Sequence, residues 1–119
     1  MSKERHSHIL TLPTENAVLY GVLSNEGGSE ETSRVLTYYI PDIDKTLAVL
    51  WYDSQSWSNK WNVRLFHGEK QPDKYMYSEM YSTSCSHPRD LGSGLKAFGS
   101  ISSTTENEIT LAIHVRKVM

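Results

Sequence analysis

The run Ser84-Cys85-Ser86-His87-Pro88-Arg89-Asp90 places a thiol, an imidazole and a carboxylate in close succession. In principle these supply a nucleophile, a base and a group to orient the base. Such groups must converge in space, and neighbours on one loop seldom do. The sequence holds no glycine-rich phosphate loop, no His-Glu-x-x-His and no paired-cysteine metal pattern, and His6 with His8 reads as a solvated terminus. No catalytic residue, metal ligand or cofactor is assigned on this basis. The chain is expected not to be an enzyme.

The aromatic side chains offer a different chemistry. Seven tyrosines and three tryptophans stand against two phenylalanines, so most of the aromatic area carries a polar handle. Side chains of that kind suit a surface that is apolar at one end and wet at the other, as at a membrane interface or a sugar site. Trp57 lies between Ser56 and Ser58 in a polar run, outside any alternation. Trp51 follows the apolar run Leu47–Leu50, and Trp61 alternates with Val63 and Leu65, which is a core pattern for both. Tyr77 and Tyr81 are four residues apart and share a face if their segment is helical.

The elements that would position these residues are mostly strands. In residues 107–117, Ile109, Leu111, Ile113 and Val115 alternate with Glu108, Thr110, His114 and Arg116. Weaker versions of this pattern occupy 8–12, 17–23, 34–40, 46–52, 60–67 and 94–101, giving a count of strands typical of a sandwich. Polar turn chemistry separates them at 24–31, 41–44 and 102–107. Residues 71–82 lack alternation. Pro72 suits a first helical position and Asp73 favours the helix start, so a short helix is predicted, with Met76 and Met80 on its core edge.

The chain has 119 residues, with 38% hydrophobic and 22% charged side chains, and reads as one compact domain spanning 1–119. Its single cysteine cannot form an internal bridge, which leaves the redox compartment open. No apolar run of signal-peptide or membrane-spanning length is present in the sequence, so the chain is expected to be cytosolic as written, or peripheral at a target membrane. A formal charge of −2 supplies no basic field, and nucleic acid is excluded as a first reading.

Residues 47–81, followed by Leu91-Gly-Ser-Gly-Leu-Lys96 and Ile109–Val115, resemble the actinoporins, the pore-forming cytolysins of sea anemones and their relatives. That family has a Tyr-Ser-Asn-Trp-Trp-Asn/Asp-Val segment leading into a strand, then a basic turn and a Met-Tyr-Glu-x-Leu-Tyr-Tyr helix. Asn-Leu-Gly-Tyr-Gly-Leu and a closing strand follow. The resemblance implies an all-β sandwich of actinoporin or fungal-lectin type with one short helix near 72–81. It implies binding of phosphocholine headgroups, as in sphingomyelin, through an exposed aromatic patch. Carried over by position, Trp57 stands at the family's loop tyrosine, Ser58 and Asn59 match directly, and Trp61 matches the second Trp of the pair. Tyr77 and Tyr81 match headgroup-site tyrosines.

The departures from the family pattern set further expectations. Lys60 replaces the first Trp of the pair, offering a cation near lipid phosphate, and Ser82 replaces the last helix tyrosine. The family's Ser-Val-Pro is missing between Trp51 and Tyr52, and Pro88-Arg89-Asp90 is what remains near its Arg-Gly-Asp element. Weaker or altered headgroup binding is expected. The family's amino-terminal amphipathic helix has no counterpart in residues 1–8, so pore formation by this chain alone is not expected. Three readings stay open at this stage: a membrane-binding module for phosphocholine lipid, a cytolysin acting as a homo-oligomer or with a longer subunit, and a lectin-like glycan binder.

Overall fold

The computed structural model describes residues 5–25, 31–54, 61–83, 87–105 and 108–118. Among these residues eight strands form two four-stranded sheets. Strands β1 (Arg5–Thr11), β8 (Glu108–Lys117), β7 (Leu95–Thr105) and β6 (Arg89–Gly92) make sheet A in that spatial order. Strands β2 (Val18–Asn25), β3 (Glu31–Ile40), β4 (Lys45–Ser54) and β5 (Asn62–His67) make sheet B as an antiparallel meander. β1 runs parallel to β8, and the other pairs in sheet A are antiparallel. One helix, α1, covers Lys74–Ser82.

The alternation seen in the sequence sets which face each strand buries. Ile40, Leu47, Val49, Trp51, Trp61 and Val63 from sheet B meet Leu95, Ala97, Leu111, Ile113 and Val115 from sheet A in the sandwich core. The intervening residues of β3 and β4 face the other way. Val35, Ala48 and Leu50 form a second core on the outer face of sheet B, closed by Met76 and Met80. Burying each methionine contributes about 1.5–3 kcal/mol, so the helix is held by packing rather than by its own propensity.

Two backbone devices set the geometry of sheet A. Ser93 and Gly94 both have positive φ, 54° and 74°, and make a two-residue type I′ turn between β6 and β7. Gly99 lies against the Trp61 indole, where an added Cβ would collide with the ring.

The structure departs from sequence expectation in four places. β6 was not foreseen, because its four residues contain one apolar side chain, Leu91, and therefore no alternation. Residues 102–105, expected as loop, continue β7, since pairing with the strongly patterned β8 sustains a Ser/Thr run in extended form past an irregularity at Ser103/Thr105. Pro72 is not the first helical residue: Asp73 is the N-cap and the helix starts at Lys74. Ser24, Asn25 and Glu31 belong to strands, while 26–30 lie outside the described residues.

Candidate functional site

Helix α1 is fixed at both ends. At its start the Asp73 carboxylate accepts from the Met76 amide at 2.8 Å, which satisfies a backbone donor that the helix itself cannot. At its end, fully buried Asn62 of β5 donates from one amide nitrogen to the Met80 carbonyl and to Thr83 Oγ1, both at 2.8 Å. The Thr83 hydroxyl in turn donates to the Glu79 carbonyl at 2.8 Å. An Arg64–Glu79 ion pair ties the solvent side of the helix to β5. At the exposure of these two side chains it contributes no more than about 1 kcal/mol.

With Met76 and Met80 buried, the next position round the helix holds Tyr77 and Tyr81. Their rings stack with centroids 5.9 Å apart and planes 25° from parallel. Tyr77 is half-buried, and its hydroxyl hydrogen-bonds the Ser33 hydroxyl of β3, while Tyr81 is 43% exposed. The structure thus brings these two candidate residues into one platform. Trp61 is not part of it: its ring is 7% exposed within the sandwich core, with the Arg89 guanidinium 5.8 Å from the ring centre.

Trp57, Ser58, Asn59 and Lys60 lie outside the described residues, as does Cys85. β4 ends at Ser54, opposite Glu31, and Ser33 stands opposite Tyr52. The strand that leads into the Trp57 segment therefore passes the residue that anchors Tyr77. Of the Cys-His-Asp run, His87 is exposed, and Asp90 accepts from the Gly92 amide at 3.1 Å, an Asx turn that leads into the Ser93-Gly94 hairpin. Sequence reasoning overlooked Tyr75, which is 87% exposed on a third side of α1. Its position outside the Met76/Met80 stripe was the available signal.

A second tyrosine pair sits farther along the outer face of sheet B. Tyr20 and Tyr39 have ring centroids 5.8 Å apart at 41°. Tyr39 donates to the Asp44 carboxylate at 2.6 Å, and Tyr20 donates to Glu69. Only a protonated phenol can donate, so each acid raises the pKa of its tyrosine, that of Tyr39 to about 12. Tyr39 lies six positions beyond Ser33 along β3, about 20 Å of extended chain.

A family model described as sea anemone cytotoxic protein matches residues 8–117. The chain belongs to the actinoporin family. DELTA-actitoxin-Aeq1b of Actinia equina is 36% identical over 118 residues, which cover 90% of this chain and 54% of that protein. DELTA-actitoxin-Ate1a of Actinia tenebrosa is 34% identical over 116 residues, covering 89% and 53%. Deep-sea actinoporin Cjtox I of Cribrinopsis japonica is 29% identical over 113 residues, covering 87% and 51%. The chain therefore spans about half the length of the curated relatives it matches.

Proposed function

We propose that this chain is a membrane-binding module that recognises phosphocholine lipid headgroups through the aromatic platform of α1. The stacked Tyr77–Tyr81 pair carries the reading: two ring faces held side by side on a helix whose other side is spent in the core. Tyrosine faces attract a quaternary ammonium group, and their hydroxyls suit the wet headgroup layer. Trp57 joins the platform in this proposal, because β4 runs toward its segment past the Tyr77 anchor. Ser58, Asn59 and Lys60 supply polar contacts, with Lys60 toward the phosphate. Buried Trp61 supports the start of β5 from within the core.

Lysis requires a further element in this proposal. Among the described residues no helix is long and apolar enough to cross a membrane, and α1 already commits its apolar side to Val35, Ala48 and Leu50. The module is therefore expected to bind without permeabilising on its own, and to contribute to a pore through an oligomer or a longer subunit.

Intrinsic tryptophan fluorescence during titration with phosphatidylcholine and sphingomyelin vesicles tests the proposal, with trapped-dye release read in the same cuvette. A blue shift without release is expected, and the Trp57→Ala/Tyr81→Ala variant should lose most of the binding. Unchanged binding by that variant, or inhibition by free sugars but not by phosphocholine, would remove the case for a phosphocholine site. Dye release by the chain alone would refute the requirement for a further element.

A further inference from the structure

The methionines of α1 rest on sheet B, and the Asn62 amide that holds its last turn comes from the same sheet. The helix has no basic residue of its own in that turn. A helix ends with carbonyls that lack an intrahelical donor and with the negative pole of its dipole, so a cation placed there is favourable. Sheet A supplies one. Arg89 of β6 donates from Nη2 to the backbone carbonyl of Thr83, the C-cap residue, at 2.6 Å.

That bond crosses a gap. β5 and β6 are edge strands of different sheets, and an open cleft of about 590 Å³ lies between them, walled by Val63 and Leu65 on one side and Leu91 on the other. Arg89 and Thr83 both line it. The Arg89 guanidinium is steadied by the Trp61 ring 5.8 Å away, and Trp61 is itself buried in the sandwich core. A planar guanidinium can stack on an indole and donate hydrogen bonds in its own plane at once, which an ammonium cannot. Thr83 passes the restraint into the helix: its amide donates to the Glu79 carbonyl at 3.2 Å and its hydroxyl to the same carbonyl at 2.8 Å. Tyr81 lies in the turn closed in this way, its ring stacked on Tyr77.

We infer that Arg89 is a positioning residue for lipid recognition: by clamping the C-terminal turn of α1 from sheet A, it holds Tyr81 against Tyr77. Its consequence for lipid binding rests on the phosphocholine reading, whereas its hold on the tyrosine stack rests on the geometry alone. Met76 and Met80 fix the body of the helix, but Tyr81 is the penultimate residue of α1, where a helix frays first. A contact from the second sheet at that point removes the freedom that the methionines leave. It also ties the sandwich core to the platform. Trp61, which burial keeps out of the platform, supports it through Arg89.

Three readouts test this across the parent, Arg89→Gln, Arg89→Lys and Lys96→Gln: amide hydrogen exchange, nuclear Overhauser contacts between the Tyr77 and Tyr81 rings, and binding to phosphatidylcholine vesicles. In Arg89→Gln, exchange at residues 81–83 should accelerate about tenfold or more and the ring contacts should weaken, while β3 and β4 exchange as in the parent. Vesicle affinity should fall about three- to tenfold, since the platform must then be ordered on binding. Arg89→Lys keeps the charge at the helix end but not the planar fork, and should recover only part of each loss. It also serves as the second variant should Arg89→Gln fail to give the parent's circular dichroism spectrum. Lys96→Gln removes a cation from β7 of the same sheet and should match the parent. Unchanged exchange and ring contacts in Arg89→Gln would overturn the clamp, and a loosened turn with unchanged vesicle affinity would overturn its role in recognition. Full recovery of affinity by Arg89→Lys, with the ring contacts intact in Arg89→Gln, would make Arg89 a direct contact to lipid phosphate and also overturn the proposal. Failure of the parent to bind these vesicles would sink the phosphocholine reading, and exchange and ring contacts would still decide the clamp.

Discussion

Two tyrosine pairs stand on the outer face of sheet B with nearly equal ring separations, 5.9 Å and 5.8 Å, yet they are built from different supports. Tyr77 and Tyr81 ride on a helix whose placement depends on Met76, Met80 and Asn62. Tyr39 projects from the regular ladder of β3 and Tyr20 from the bulge between Leu19 and Gly21 in β2, and each hydroxyl is committed to a carboxylate. Ring geometry alone therefore does not distinguish a recognition platform from a structural clasp; what lies beneath the rings and what their hydroxyls hold does. The helix-borne pair can be lost by loosening the core against which α1 and Tyr77 pack. The strand-borne pair should respond to protonation instead.

The sharpest way to separate the two ends is Met80→Ala. Met80 is fully buried, and truncating it leaves a cavity between α1 and β4. A cost of about 2–5 kcal/mol is expected in urea unfolding. Vesicle binding should fall while the Tyr20–Tyr39 end keeps its late-titrating phenol. Equal damage at both ends would show that the outer face of sheet B behaves as one unit.

Asn62→Ala should have a smaller effect of the same kind. The buried Met80 carbonyl and Thr83 hydroxyl would lose their shared donor, at a cost of about 1–3 kcal/mol. Because this bond holds the last turn of α1, where Tyr81 lies, hydrogen exchange should accelerate there ahead of β3 and β4. Uniform acceleration across sheet B would break the distinction between a helix-supported pair and a strand-supported one.

How far these regions were legible in the sequence depended on the periodicity each element carries. β8 was readable because its sequence alternates, and from Thr110 to Lys117 buried Leu111, Ile113 and Val115 alternate with half-buried or exposed residues. α1 was readable because alternation stops and Asp73 caps it, and its methionine spacing correctly marked the buried stripe. Trp51 and Trp61 followed core patterns and are buried. β6 and the far end of β7 were hidden, since partner strands impose their extended form and their own residues do not signal it. The Tyr77–Tyr81 proximity followed from helical spacing. The Tyr39–Asp44 clasp was hidden because it needs the left-handed Asp44 at the end of the Pro41–Ile43 turn, a backbone state that the residue type permits but does not announce.

That clasp makes the subtlest test of the comparison. Tyr39 has its pKa raised from 10.0 to about 12, chiefly because its hydroxyl donates to Asp44. The protonated form is favoured in the folded chain, so its contribution to stability is fully present below the unfolded value near pH 10 and is lost as pH rises through about 12. Tyr39→Phe has no proton to lose there. The stability difference between parent and Tyr39→Phe should therefore shrink between about pH 10 and 12 in urea unfolding, and ultraviolet titration of the variant should lack one late-ionising phenol. Comparing the two proteins at each pH cancels the ionisation of the other tyrosines. Vesicle binding by Tyr39→Phe near neutral pH should equal that of the parent, since Tyr39 belongs to the clasp and not to the platform. A constant stability difference across that range would mean that Asp44 does not select the protonated phenol, and the two pairs would then differ in support but not in chemistry.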